Sequence, residues 1–97
     1  DFQSLGKTSE THPNLFPLEE KFVSFGWHAS TVDGHDVESL IKNLEINSDK
    51  PKIIIAKTIK GKGVTYMQEN PIWHYRSPDK DELLIAVREI KGSIDEE

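Results

Sequence analysis

Between Lys57 and Tyr75 the chain reads KTIKGKGVTYMQENPIWHY, which sets Lys57, Lys60 and Lys62, the glycines Gly61 and Gly63, and a Trp73-His74 pair within one stretch of no helical period. Lys60 and Lys62 raise the local positive potential where a phosphate would sit, and the two glycines allow backbone to approach a ligand closely. The same composition also describes a solvated turn whose lysines serve solubility. His74 is a usable acid, base or hydrogen-bond donor near neutral pH, and Trp73 could hold it rigidly, although a single histidine is more often structural.

The other chemistry-bearing residues point to local structure. His35 in DGHD stands at a helix start, His28 follows Trp27 on a strand, and His12 lies in a polar loop. Asp33, His35 and Asp36 are close in sequence, but the chain has no i, i+4 pair of metal ligands on a helix, so Asp33 and Asp36 are assigned to a turn and a helix cap. IKGKGVT is not a P-loop, because the leading glycine is missing and Gly63 stands where Ser or Thr would hold a metal. GxGxxG and the nucleophile elbow GxSxG are also missing.

The elements that would position this stretch follow from periodicity. Pro17 suits a first helical turn, Glu19 and Glu20 suit its dipole, Leu18, Phe22 and Phe25 share a face, and Gly26 suits the exit. A short strand, WHASTV, leads to Asp33-Gly34 and to Asp36 as N-cap of a second helix with the stripe Val37, Leu40, Ile41 and Leu44. KIIIAKTI is apolar without alternation, as a strand covered on both faces would be. Ser77-Pro78 reads as cap and first turn of a last helix that buries Leu83, Leu84, Val87 and Ile90 and ends near Gly92.

Strands alternating with helices predict an α/β fold, with a parallel sheet flanked by helices. The expected layout is a loop over 1–15, an α/β core over 16–92 and a polar tail over 93–97. Two strands are too few for a strand apolar on both faces, and at most one more is available, from the first residues; neighbours would come from a partner or a longer chain. In parallel α/β sheets ligands sit beyond the carboxyl ends of strands, which makes Lys57 to His74 the leading site.

Composition narrows the function classes. The 97 residues make one small domain or a piece of a larger one, since domains most often run ~100 to 150 residues. A net charge of −5 opposes binding to nucleic acid or to an acidic membrane by the chain as a whole. No stretch approaches the ~20 apolar residues of a membrane span, and DFQSLGKTSE has neither the basic start nor the apolar core of a signal peptide. Without cysteine there is no disulfide, thiolate site or cysteine nucleophile, and a cytoplasmic setting is expected. The sequence opens on Asp1-Phe2 as though cut from within a chain.

Taken in order, FQSLGKT, PLEEKFVSFGWH, VDGHD, IIIAKTIKGKGV and ENPIWH resemble the thiamine-diphosphate-binding half of transketolases, in particular the N-terminal subunit of the two-chain type, from Phe2 to about Pro78. The resemblance implies part of a thiamine-diphosphate-binding fold and an enzyme of the pentose phosphate reactions. Such an enzyme uses thiamine diphosphate with Mg2+, or Ca2+ or Mn2+ in its place, to carry a two-carbon ketol unit between sugar phosphates. It further implies that His74 is the histidine reaching the cofactor diphosphate and the donor sugar, and that Phe2 supplies a backbone carbonyl to the metal.

The family's GDG motif and the Asn that follows it have no counterpart here, nor has its catalytic Glu. The chain would therefore be inactive alone, working with the rest of the diphosphate-binding domain and a pyrimidine-binding subunit. Tyr75 departs from the Gly usual after the family histidine. The resemblance gives Lys57, Lys60 and Lys62 no assigned contacts. Two other readings are a non-catalytic remnant that binds a partner and the sister enzyme that makes deoxyxylulose phosphate.

Overall fold

A computed structural model describes residues 1–95, leaving out the side chains of Phe2, Gln3 and Asp95. The chain forms two compact units, Asp1 with Thr8–Thr58, and Phe2–Lys7 with Ile59–Glu97.

The first unit holds a parallel pair, β3 (His28–Asp33) and β4 (Lys52–Lys57), in register from His28 opposite Lys52 to Asp33 opposite Lys57. Two helices pack with it, α2 (Leu18–Ser24) and α3 (Val37–Leu44). This is the expected α/β arrangement of a parallel sheet flanked by helices. Helix α2 begins one residue after Pro17, which stays extended at φ −77°, so the proline precedes the first turn instead of opening it. Gly26 takes φ +86°, and the amide of Trp27 returns to the carbonyl of Phe22 at 3.1 Å, ending the helix. Asp36 caps α3, its carboxylate accepting from the amide of Ser39 at 3.2 Å.

Burial departs from the expected stripes. Phe22 is half-buried against Trp27, with ring centroids 5.6 Å apart, but Phe25 is 78% exposed. On α3, Leu40 is half-buried whereas Val37, Ile41 and Leu44 are exposed. Ile53, Ile54 and Ile55 are half-buried, because among the described residues β4 has a hydrogen-bonded neighbour on one edge only. A strand needs cover on both faces and partners on both edges before its side chains leave water.

In the second unit, β1 (Phe2–Gln3) and β2 (Gly6–Lys7) form a two-residue antiparallel hairpin with Phe2 opposite Lys7. At most one further strand is expected from the first residues; two form there, paired with each other. The expected loop over 1–15 is also more structured than its composition suggests. Besides the hairpin it contains α1 (Thr8–Thr11), in the first unit, capped by Asp1, whose side chain accepts from the amide of Ser9 at 2.7 Å and from its hydroxyl at 2.8 Å.

Two short 3-10 turns, Thr65–Met67 and Pro71–His74, precede α4 (Lys80–Asp95). That helix starts on Asp79, not Ser77: Asp79 accepts from the amide of Glu82, and Glu82 accepts from the amide of Asp79, each at 2.9 Å. This reciprocal capping box is encoded by Asp79-Lys-Asp-Glu82. The helix also continues through Gly92, whose added Cβ would meet nothing, to Asp95; the last two residues of the expected tail lie outside the described residues. Leu83, Leu84, Val87 and Ile90 are exposed, while Ala86 of α4 and Val64 of the preceding loop are buried, each at 6% exposure.

Candidate functional site

The stretch after β4 is built by hydrogen bonds among its own backbone groups. Lys62 donates to the carbonyl of Ile59 at 3.1 Å, Glu69 to that of Lys60 at 2.9 Å, and Met67 to that of Val64 at 2.9 Å. The glycines divide in role. Gly61, at φ +78°, lies so close to the chain that an added Cβ would stand 2.5 Å from the carbonyl oxygen of Met67. Its small size is therefore consumed by the loop folding on itself and not by a ligand. Gly63, at φ +99°, faces open space.

Each of the three lysines has its own local setting. Lys57 ends β4 in the first unit and lines a cleft of about 470 Å³ with Pro17, Glu19, Thr31 and Ile55. Lys60 donates from Nζ to the carbonyl of Ser4 at 2.8 Å, tying the turn after β1 to the glycine loop. Lys62 lines a second cleft of about 540 Å³ with Thr65, Gln68, Arg88 and Glu89. There the carboxylate of Glu89 accepts from the amide of Thr65 at 2.7 Å, fastening the loop to α4.

His74 ends the second 3-10 turn, which Asn70 caps by accepting from the amide of Ile72 at 3.2 Å. The imidazole is exposed, and among the described residues it has no hydrogen-bond partner. Trp73 is half-buried and is itself anchored. Its indole nitrogen donates to the carbonyl of Tyr66 at 3.0 Å, its ring lies 5.0 Å from that of Tyr66, and the guanidinium of Arg76 sits 4.7 Å over it. Tyr75, the departure from the family pattern, is 71% exposed.

Electrostatics concentrate beside this turn. Nη2 of Arg76 lies between both carboxylate oxygens of Glu82, at 2.7 and 2.9 Å. That hydrogen bond raises the guanidinium above its already high value, with the charges of Glu82 and Asp79 adding to it. Burial raises the Tyr66 phenol, and the negative charges of Glu82, Asp79 and Glu89 raise it further against the opposing pull of Arg76. Sequence reasoning missed Tyr66, Arg76 and Glu82; the capping pattern at Asp79 and Glu82 was the available signal for one of them.

The remaining candidates fall where local structure uses them. Asp33 accepts from the amide of His35 at 2.9 Å, which forms the turn before α3. His12 shares a 2.9 Å hydrogen bond between its Nδ1 and the hydroxyl of Thr11. His28 is half-buried on β3, and its Nδ1 and the hydroxyl of Ser30 lack partners among the described residues. Phe2 lies in β1, in the same unit as His74. Among the described residues no three His, Asp or Glu side chains are grouped to hold a metal, and no helix is long and apolar enough to cross a membrane.

No family model matches the chain. Curated proteins do. An apulose-4-phosphate transketolase subunit of Actinobacillus succinogenes is 35% identical over 77 residues, 77% of this chain and 28% of that protein. The corresponding subunit from Phocaeicola vulgatus is 31% identical over 91 residues, 91% of this chain and 32% of the relative. Human transketolase is 38% identical over 76 residues, 78% of this chain and 12% of its own. The chain thus spans less than a third of the length of these relatives. Across most of its own length it is a homologue of the transketolases, corresponding to a portion of them.

Proposed function

We propose that the chain forms part of the diphosphate-binding half of a thiamine-diphosphate-dependent transketolase, which moves a two-carbon ketol unit between sugar phosphates, and that it is inactive alone. The observation that carries this reading is the identity of 31 to 38% with transketolases over most of the chain. The cofactor, when bound, supplies the carbanion chemistry.

For the metal the residues present are insufficient. A single backbone carbonyl from Phe2 does not retain a hard cation that takes six or more oxygen ligands, so the rest of the shell must come from residues beyond those described, and no step is derived through the ion. For the diphosphate the fit is better. His74 presents an exposed imidazole with no competing partner among the described residues, able to donate to a phosphate oxygen or to the donor sugar. The partners in this reading are the rest of the diphosphate-binding domain and a pyrimidine-binding subunit.

The test is reconstitution. The chain is combined with chains carrying the GDG-Asn segment and the catalytic Glu, with thiamine diphosphate and Mg2+, and ketol transfer is followed. Activity in the mixture is expected, and His74→Ala should lower it by roughly 10² to 10⁴, the range for loss of a positioned acid or base. Undiminished activity in that variant would remove His74 from the site, and an inactive mixture would remove the reading itself. A non-catalytic, partner-binding role is the second reading, favoured by the exposed apolar side chains of α3; a stable complex without ketol transfer is its signature.

A further inference from the structure

We propose that Arg76 and Glu82 are positioning residues for His74, forming a clamp that fixes the turn carrying the imidazole while leaving the imidazole itself unengaged. The clamp is a closed circuit of side chains and two backbone carbonyls. Trp73 donates to the carbonyl of Tyr66, Arg76 lies over the Trp73 ring, Arg76 binds the Glu82 carboxylate, and the Tyr66 hydroxyl donates to the carbonyl of Glu82 at 2.8 Å. His74 stands on the arc between Trp73 and Arg76, so both sides of the histidine are tied to the first turn of α4.

The backbone closes the same arc. The amides of Tyr75 and Arg76 donate to the carbonyl of Ile72 at 3.2 and 3.1 Å. Glu82 is the node. Its carboxylate takes the guanidinium and the Asp79 amide, its own amide donates to Asp79, and its carbonyl receives Tyr66. A guanidinium that is paired with a carboxylate and stacked on an indole has its charge and one face spent within the protein, which suits a structural brace better than an anion receptor. An imidazole with no tether of its own takes its direction from its neighbours, and catalytic groups tolerate little misplacement.

This inference rests on the proposed function only for what His74 faces. The primary test therefore needs no ligand: the His74 imidazole signals of the full chain are followed by NMR in Arg76→Ala, Arg76→Lys and Glu82→Gln. Gln retains the capping box, so Glu82→Gln should keep α4 protected from hydrogen exchange while moving and broadening the His74 signals. Lys cannot reproduce a planar group that stacks and pairs together, so Arg76→Lys should not restore them. Unmoved His74 signals in folded Glu82→Gln and Arg76→Lys would overturn the clamp, whether or not Arg76→Ala folds.

In the reconstituted enzyme the same variants should lower kcat by roughly ten- to hundredfold with KM unchanged, the signature of misplacement. A rise in KM alone would instead make Arg76 a substrate contact and overturn the proposal. Adding thiamine diphosphate to the reconstituted wild-type assembly separates the two ideas. His74 signals that do not respond would defeat the assignment of His74 to the diphosphate, while the ligand-free comparison would still decide the clamp.

Discussion

Gly61 and Met67 approach so closely that a methyl group on Gly61 would stand 2.5 Å from the Met67 carbonyl oxygen and 2.7 Å from its carbonyl carbon. The glycine also holds φ +78°, where an L side chain is strained. Gly61→Ala should therefore destabilise the second unit by more than the roughly 1 to 3 kcal/mol of backbone strain alone. Gly63→Ala, with a φ of +99° but open space around it, should cost only the strain. Urea unfolding of both variants checks this; equal losses would mean that the contact with Met67 contributes nothing.

Tyr66 gives a pH dependence with a definite sign. Its phenol is raised above the ordinary 10.0 by burial first and then by Glu82, Asp79 and Glu89, so the folded chain keeps a proton that the unfolded chain has already lost. Stability from this group is complete below pH 10 and falls as pH rises through the folded value. The chain has two tyrosines, so in a Tyr75→Phe background tyrosinate absorbance follows Tyr66 alone. Its midpoint should lie above 10.0 and drop in Glu82→Gln; a midpoint indifferent to Glu82 would remove that carboxylate from the causes and leave burial.

Side-chain burial predicts a sharp contrast within one protein. Val64→Ala removes two methyl-sized groups from a side chain 6% exposed, which at about 0.8 kcal/mol per buried group amounts to about 1.5 kcal/mol. Leu44→Ala trims a larger side chain that is 64% exposed and should cost under about 0.5 kcal/mol, as surface changes do. Thermal unfolding of the chain by itself decides it, and a larger loss at Leu44 would show that the α3 face is covered in solution.

Asp36→Ala should cost about 1 kcal/mol by freeing the amide of Ser39 at the start of α3, whereas Asp36→Asn should cost little, since Asn caps as well. Helix content measured by circular dichroism during urea unfolding would register the difference. Equal behaviour of the two variants would leave Asp36 without a capping role.

Much of the local structure was legible in the sequence because it depends on neighbours in the chain. The Asp36 cap and the Asp33 turn arise from side chains acting on backbone within a few residues, the Gly26 exit from a positive φ that glycine permits, and the β3 and β4 strands from runs of β-branched and apolar residue types. The start of α4 was misplaced by two residues because Ser77-Pro78 and Asp79 with Glu82 are both valid openings; the reciprocal bonds favour the second. The apolar stripes were read correctly as apolar but wrongly as buried, since periodicity names the face to be covered and says nothing of whether a cover is present.

The candidate site shows the same division. Glycines, lysines and a Trp-His pair marked the stretch, and His74 does stand exposed on it. Their distribution was beyond the sequence: Lys57 goes to one cleft, Lys62 to another and Lys60 to a backbone carbonyl 56 residues away. Sequence by itself determined α2, α3, β3 and β4, the Asp36 cap and the kinship with transketolases, because these rest on residue type and spacing. Only the tertiary structure decided that Gly61 serves its own loop and that Tyr66, Trp73, Arg76 and Glu82 link to one another beside the turn that ends in His74, because contacts between distant positions depend on where the backbone returns.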